Sequence, residues 1–326
     1  MTAPLIPVAD GVYQVPIPLP FALRIVNCYL LRDHDGWAVL DTGINTPQGQ
    51  AVWRAAWDAL GIRPREIRRI LMTHVHPDHF GLAGWLQAQI VADGGTAAVY
   101  ASPREIRQAQ LIWERESTLD FAAYLAHHGM PPDMARAVDS GLDDTRTMTL
   151  PHPAALHPLD PDSVLDTGAR QFKLLLAEGH ADGQLLFYDQ RDALLLSGDH
   201  VLMHITPNIG IWTETDPHPL RRYLRSLEAL HDLPVRLALP GHKALIHDWA
   251  GRIRELQQHH EERLEHTLQA VRDGHTDAYH VALVIFQHMR FTPHEWRFAL
   301  AEALAHLDEL VLRGQLAREG ERFGLV

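Results

Sequence analysis

Four side chains of metal-binding types lie within the short segment Thr73-His74-Val75-His76-Pro77-Asp78-His79, between an apolar strand-like stretch and a helical pattern. Side chains at i and i+2 of an extended chain point to the same side, so His74 and His76 can bind one ion. Asp78 and His79 lie where the chain turns into the helix, and they can reach a second ion. Imidazole nitrogen and carboxylate oxygen are ligands of zinc and similar ions, and a catalytic zinc site keeps one position open for water.

Three further residues of these types occur later in the chain, each after a stretch with strand character. They are His180, Asp199 and His242. A glycine directly precedes each of them, and glycine lets the backbone approach an ion closely. Functional residues on loops at strand ends suit a rigid layered scaffold. We therefore interpret the four segments as parts of one metal site.

Strand and helix patterns alternate over the first hundred residues and predict a layered α/β fold. Alternating residues from Gly11 to Ile17 indicate a strand, and Asp35-Gly36 between two apolar runs is a hairpin signal. Residues 47–60 have the spacing of an amphipathic helix. The later candidate strands are 172–177, 185–188, 193–196 and 235–239.

A helical insert, at about 102–161, separates His79 from His180. Ser102, Pro103 and Glu105 have the pattern of a helix that begins with a capping box. We expect the insert to form a lid over the site, the alternative being an oligomerisation element. The candidates for an apolar wall of the substrate pocket are Trp113, Phe121, Tyr124 and Trp212.

The pattern after residue 246 is helical and ends in a short hairpin, which predicts a winged-helix-like domain over 247–326 behind a catalytic domain over 1–246. A second capping box, Thr292-Pro293-His294-Glu295, begins its last helix. The domain has 9 arginines, no lysine and 13 acidic residues, so it lacks the basic face that nucleic acid requires. We expect it to close one side of the active site or to form a homodimer.

The composition of the whole chain is that of a globular protein: 326 residues, 46% hydrophobic and 21% charged. The net charge of −12 argues against nucleic-acid and anionic-membrane partners. No signal-peptide or membrane-span pattern is present, and the single Cys28 excludes an intrachain disulfide and a cysteine-based zinc cluster. These features predict a cytoplasmic protein.

Most of the 23 histidines are expected to be surface or packing residues. His200 and His204 follow Asp199 and are open to either a pocket-lining or a packing role. The pairs His127-His128 and His259-His260 are expected to be solvated helix positions.

The order of the metal-binding motifs resembles that of the metallo-β-lactamase-fold hydrolases: His-x-His-x-Asp-His, a lone histidine, a bridging aspartate and a last histidine. The resemblance covers about residues 5–246 and implies an αββα sandwich. The C-terminal helices resemble the winged-helix domain of one branch of that superfamily, which includes β-lactamase-like hydrolases and some endoribonucleases.

The resemblance also implies the ligand assignment. The first metal would bind His74, His76 and His180, and the second would bind Asp78, His79 and His242. Asp199 would bridge the two. Asp41, in Asp41-Thr42-Gly43, matches an early aspartate that orients the ligands.

We predict a dinuclear hydrolase that acts on an ester-type bond of a small molecule, such as a thioester, ester or lactone. Two divalent ions, zinc before iron or manganese, would hold the attacking hydroxide, and Asp78 or Asp199 would transfer its proton. The alternatives are an endoribonuclease of the winged-helix branch, a β-lactamase-like amide hydrolase, a persulfide dioxygenase with a single iron, and a non-enzymatic metal-dependent regulator.

Overall fold

The structure, a computed structural model, describes residues 5–114 and 120–326. Its first sheet follows the chain order: β1 (Ile6–Ala9), β2 (Val12–Pro18), β3 (Ile25–Asp33), β4 (Gly36–Leu40), β5 (Ile67–Leu71), β6 (Ala98–Ala101) and β7 (Leu156–Pro158). Strands β1 to β4 are antiparallel, and β4 to β7 are parallel. The predicted hairpin at Asp35-Gly36 is confirmed, because Asp33 pairs with Gly36 across β3 and β4.

The second sheet has the spatial order β12, β11, β10, β9, β8. Its strands are β8 (Val164–Asp166), β9 (Gln171–Leu176), β10 (Leu185–Asp189), β11 (Leu194–Gly198) and β12 (Leu237–Pro240). A small third sheet pairs β13 (Leu316–Glu319) with β14 (Arg322–Leu325). Strands β11 and β12 are parallel, so their carboxyl ends lie at the same edge.

The helices occupy the spans between these strands. They are α1 (Pro47–Leu60), α2 (Pro77–Phe80), α3 (Ala83–Ala92), α4 (Pro103–Ala109), α5 (Phe121–His127), α6 (Pro132–Thr147), α7 (Pro219–His231), α8 (Trp249–Arg272), α9 (Ala278–Ile285) and α10 (Pro293–Leu312). Among the described helices, none combines the length and the apolarity that crossing a membrane requires.

The two large sheets pack face to face, because alternate residues of each strand enter different cores. Leu31 of β3 lies between the sheets with Phe187 of β10, whereas its neighbour Leu30 faces α1 and α3. Leu195 of β11 faces the opposite way, toward the core shared with α7 and α8. The resulting layers confirm the predicted α/β class and its αββα arrangement.

The insert connects the two halves of the molecule. Ile106 and Trp113 pack against the core of the first sheet, whereas Leu125 and Val138 belong to the core of the C-terminal helices. The backbone N–H of Tyr279 donates to the carbonyl of His128 at 3.1 Å. The last part of the predicted insert contains β7, which extends the first sheet, so the insert is not purely helical. Residues 115–119 of the predicted insert lie outside the described residues.

The C-terminal part contains α8, α9, α10 and the β13–β14 hairpin, as the sequence predicts. Its winged-helix character and the boundary at residue 246 stay predictions. Arg221 of α7 forms two hydrogen bonds with Glu309 of α10, at 2.8 and 3.1 Å. This paired contact holds α10 against α7, which lies beside the second sheet.

Two of the histidines expected in solvent are buried instead. His260 of α8 is 1% exposed, because it shares the apolar face of α8 with residues such as Leu256 and Leu264. His306 Nδ1 donates to the Glu302 carbonyl at 2.7 Å, so its Nε2 can accept from His260 Nδ1 at 3.2 Å. His128 is also buried and contacts Glu321.

The stability of the protein is expected to fall in mild acid because of His306. Burial lowers the pKa of this group to about 3, against about 6.5 in an unfolded chain. Below about pH 6.5 His306 is protonated in the unfolded state but stays neutral in the folded state. The free energy of unfolding therefore decreases as the pH falls. From pH 7 to pH 5 the loss from this residue is about 2 kcal/mol.

Denaturant unfolding of the wild type and of His306→Gln at the two pH values measures this contribution. Glutamine keeps a donor and an acceptor but does not titrate, so the variant should lose less stability between pH 7 and pH 5. The metal-binding residues titrate alike in both proteins, so their contributions to the loss of stability cancel when the two losses are subtracted. Equal losses in the two proteins would contradict the prediction.

Candidate metal centre

The seven predicted metal-binding residues lie together at one edge of the sandwich. His74 follows β5, and His76 is the N-cap residue of α2, which contains Asp78 and His79. The other three residues each follow a strand of the second sheet: His180 after β9, Asp199 after β11 and His242 after β12. The folded chain thus brings four distant segments to one place, and the fixed strand ends position them.

Asp199 lies in the middle of this group. Its Oδ2 is 3.4 Å from His79 Nε2, 3.2 Å from His242 Nε2 and 3.8 Å from His180 Nε2. His242 Nε2 is also 3.2 Å from Asp78 Oδ2. Asp199 is therefore the carboxylate that can contact ions on both sides.

The candidate ligand atoms form two triads that share no residue. The first triad is His74, His76 and His180, and the second triad is Asp78, His79 and His242. A further group, His74, His79 and Asp199, joins them, and the atoms within each group lie within 4.8 Å of one another. This arrangement matches the assignment implied by the resemblance, while the roles of the residues as ligands stay predictions.

Hydrogen bonds on the outer ring nitrogens orient the histidines. The contacts are His79 Nδ1 to Asp41 Oδ2 at 2.8 Å, His180 Nδ1 to the Asn208 carbonyl at 3.0 Å and His242 Nδ1 to the Ile25 carbonyl at 2.7 Å. Carbonyl and carboxylate oxygens only accept, so each Nδ1 carries the proton. The Nε2 atoms are therefore the ring nitrogens that face the centre, as in a metal-ligating histidine.

The polar atoms that face the centre lack hydrogen-bond partners, and a bound metal ion would supply them with one. The Nε2 atoms of His74, His79, His180 and His242 and Oδ1 of Asp199 are buried without a hydrogen-bond partner among the described residues. Each such atom costs free energy when it is buried unpaired. Divalent cations satisfy nitrogen and carboxylate donors of this kind, so the donor set fits them.

Asp41 joins two histidines to one carboxylate. Its Oδ1 accepts from the Thr73 backbone N–H at 2.8 Å, and its Oδ2 accepts from the Thr73 hydroxyl at 2.7 Å and from His79. Because the hydroxyl proton goes to Asp41, the Thr73 oxygen accepts from His74 Nδ1 at 2.9 Å. Asp41 thus contacts His79 directly and His74 through Thr73, while the predicted effect on the ligands awaits a test.

The two triads differ in charge. Burial lowers the pKa of His74 well below its usual value and that of His76 to about 3, so the first triad holds neutral imidazoles. Burial alone would also lower the pKa of His242, but Asp199 and Asp78 raise it to about 10. A metal ion held by the second triad would therefore have to displace a proton from His242.

The C-terminal part reaches the site through Asn208, which the sequence reasoning missed. Asn208 Nδ2 donates to the Phe298 carbonyl at 3.2 Å and to Glu302 Oε2 at 3.3 Å, both on α10. Its own carbonyl holds His180. No sequence signal marks this role, because a backbone carbonyl is common to all residues.

The four aromatic candidates for the pocket wall lie in two places. Phe121, Tyr124 and Trp212 are neighbours, with ring centroids of Phe121 and Trp212 at 6.2 Å and the Tyr124 hydroxyl bonded to the Ile211 carbonyl at 2.8 Å. Trp113 packs against the core of the first sheet instead, and its Nε1 donates to the Val75 carbonyl at 2.9 Å. Their contact with substrate stays a prediction. His200 is fully buried, and its ring lies 4.9 Å from that of Tyr223 between the centroids, which favours the packing alternative.

An edge of a two-sheet sandwich that presents a triad of three histidines beside a triad of two histidines and an aspartate has the donor set of a metal-dependent enzyme. A family model described as the metallo-beta-lactamase superfamily matches residues 22–242, and one described as the metallo-beta-lactamase-like C-terminal domain matches residues 264–326. The chain belongs to the metallo-beta-lactamase superfamily, and it is a metal-dependent hydrolase of that superfamily.

Individual relatives agree with this membership. The chain is 24% identical over 311 residues to a probable metallo-hydrolase, YqjP, of Bacillus subtilis, with 92% of each chain covered. It is 22% identical over 239 residues to an atrochrysone carboxyl ACP thioesterase of Aspergillus fumigatus, which covers 73% of this chain but only 57% of that relative.

Solved structures extend the likeness over the whole chain. A metallo-beta-lactamase family protein of Thermus thermophilus is 32% identical with a TM-score of 0.86, covering 98% of this chain and 100% of that one. A beta-lactamase domain protein of Burkholderia ambifaria is 29% identical with a TM-score of 0.88, covering 100% and 94%. Both similarities include the C-terminal part.

Metal removal is expected to lower the melting temperature of the native protein. Chelation leaves five buried polar atoms without a partner, whereas zinc at 100 times its Kd adds about 2.7 kcal/mol of stability. Thermal melts after chelator treatment and after zinc addition measure the shift, and Asp199→Ala should shift less than the wild type. Identical melts with and without metal would refute the prediction.

Proposed function

We propose that this chain is a dinuclear metal-dependent hydrolase that cleaves an ester-type bond, a thioester, ester or lactone, in a small-molecule substrate. The observation that carries the proposal is the pair of triads that share no residue, with Asp199 between them. A mononuclear enzyme, such as the single-iron dioxygenase, has no use for the second triad.

Zinc is the expected metal, with iron and manganese as alternatives, because nitrogen and oxygen ligands alone discriminate poorly among them. Divalent ions held by the two triads would lower the pKa of water toward neutrality and polarise the substrate carbonyl. The protein's own contribution is to hold the imidazoles in one tautomer and to keep the carboxylates ionised.

Asp78 is the better candidate for transferring the proton of the attacking water. Its side chain is 15% exposed, against 8% for Asp199, so solvent reaches it more easily. Burial opposes its ionisation, but His79 and His242 hold its pKa below the usual range, and it is therefore a carboxylate at neutral pH. Asp199 is committed to its central position by three histidine contacts.

The choice of an ester-type bond rests on charge, apolar surface and one relative. A net charge of −12 disfavours polyanionic substrates and thus the endoribonuclease alternative. The neighbouring rings of Phe121, Tyr124 and Trp212 offer an apolar surface to an acyl group. The relative named as a thioesterase supports the same bond type.

A panel of acyl thioesters, esters and lactones, with a β-lactam and an RNA beside them, tests the proposed function. The zinc-loaded protein should hydrolyse at least one ester-type class faster than the β-lactam or the RNA. Asp199→Ala should lower kcat by about 100-fold or more, because it removes the central carboxylate. The matched control Asp232→Ala changes an exposed aspartate and should leave kcat unchanged.

Elemental analysis of the same preparations counts the ions. The proposal requires close to two divalent ions per wild-type chain and fewer in Asp199→Ala. One ion per chain after metal-replete expression, or a preference for RNA or the β-lactam, would overturn it.

The aromatic group is expected to set substrate preference. Trp212→Ala removes a ring that contacts both Phe121 and Phe298, and it should raise KM for long-chain or aryl acyl substrates about 10-fold. The metal content should stay unchanged. Val91→Ala, at an exposed site elsewhere, is the control. An unchanged KM across the panel would show that these rings do not form the pocket wall.

A further inference from the structure

Two helices of this chain begin with the same pattern but use it differently. Ser102-Pro103-Arg104-Glu105 begins α4, and Thr292-Pro293-His294-Glu295 begins α10. In α10 the capping box is complete, since Glu295 Oε2 accepts from the Thr292 backbone N–H at 2.8 Å. In α4 only the serine half forms, with Ser102 Oγ accepting from the Glu105 N–H at 3.2 Å. The predicted capping box at α4 is therefore wrong in its second half.

The Glu105 carboxylate joins two loops of the metal centre instead. Its Oε2 accepts from the Val75 N–H at 2.9 Å, and its Oε1 accepts from the Gly183 N–H at 2.8 Å. Val75 lies between His74 and His76, and Gly183 follows His180 by three residues. One side chain thus spans the two loops that carry the whole first triad.

Glu105 is buried, and the Gly183 loop approaches the start of α4 closely. Its side chain is 1% exposed, and burial raises its pKa to about 7 although the two backbone N–H groups oppose the rise. A Cβ at Gly183 would collide with Ser102 Oγ and with Arg104 Cβ, so a glycine is needed for the loop to approach the start of α4. Burial of a carboxylate is costly, and here the two backbone donors offset part of that cost.

Other side chains of the same segment hold the same two loops. Trp113 Nε1 donates to the Val75 carbonyl, so both backbone groups of Val75 are fixed by the first part of the insert. Gln108 donates to Asp182 in the loop of His180. The contacts of α4 with the metal centre are therefore a connected set that centres on Glu105.

We propose that Glu105 is a positioning residue that fixes the spacing between the His74–His76 loop and the His180 loop, and that it thereby sets the metal affinity of the first triad. The inference rests on the metal centre of the proposed function. It gives the start of the insert a structural task at the metal centre, distinct from that of a lid.

The variant Glu105→Gln separates this role from simple packing. Glutamine has the same shape but a single oxygen, so only one of the two N–H groups keeps its acceptor. The amide N–H of glutamine then faces the other donor, and one loop must shift. The matched control is Glu295→Gln, which alters the same helix position in the complete capping box of α10.

The measurement is zinc binding to the purified full-length chain by competition with a calibrated chelator. In Glu105→Gln one of the two ions should bind about 10 to 100 times more weakly. Glu295→Gln should bind both ions as the wild type does, because glutamine also serves at the third helical position of a capping box. Cobalt substitution provides a second readout, because the visible spectrum reports the coordination of each ion.

Wild-type affinity for both ions in Glu105→Gln, or equal weakening in the two variants, would overturn the inference. If Glu105→Gln fails to fold, Trp113→Phe removes the donor to the Val75 carbonyl while keeping an aromatic ring, and it should weaken the same ion by a smaller factor. Unchanged metal binding in that variant would then count against the proposed positioning of the two loops by the start of the insert. A wild-type chain that binds fewer than two ions would contradict the proposed function instead, so the two failures are distinguishable.

Discussion

The site depends on one constraint: His74, His79, His180 and His242 can offer Nε2 to an ion only while an acceptor holds the proton on Nδ1. The acceptors come from separate parts of the chain, namely Thr73, Asp41, Ile25 and Asn208. A site of this kind cannot form locally, because the four oxygens reach their positions only when both sheets and the C-terminal helices are packed. The buried Nε2 atoms therefore link the stability of the fold to the binding of a cation.

The sequence predicts the side chains that do chemistry better than the groups that position them. Histidines and aspartates at motif spacing are visible as residue types, and so are the strand and helix periods that carry them. Ile25 and Asn208 act through backbone carbonyls, so no residue type reveals them. Glu105 shows a second limit, since a glutamate at the third helical position has the same pattern whether it caps its own helix or bonds to another loop. Helix periodicity places His260 on the buried face of α8. The expectation of a solvated position is wrong because it follows the general preference of histidine for solvent.

The insert and the C-terminal helices act as one frame around the metal edge. The first part of the insert contacts the His74–His76 loop, whereas α5 and α6 pack into the core of the C-terminal helices. Helix α10 in turn holds Asn208 by its side chain, and the Asn208 carbonyl holds His180. The insert and the C-terminal helices thus contact each other, and each also contacts a loop that carries residues of the first triad. The role of the insert as a lid over the site stays a prediction.

His180 is the point at which the two supports meet. Its ring is oriented from α10 through Asn208, and its loop is held from α4 through Gly183 and Asp182. His180 also lies within 3.8 Å of the central Asp199, so a displacement of this loop would reach both triads. The second triad takes its own support from Asp41, directly after β4, and from Ile25 of β3, so the His180 loop reaches it only through Asp199. Changes in the insert or in α10 should therefore act first on the ion of the first triad, and the second ion should respond only through Asp199.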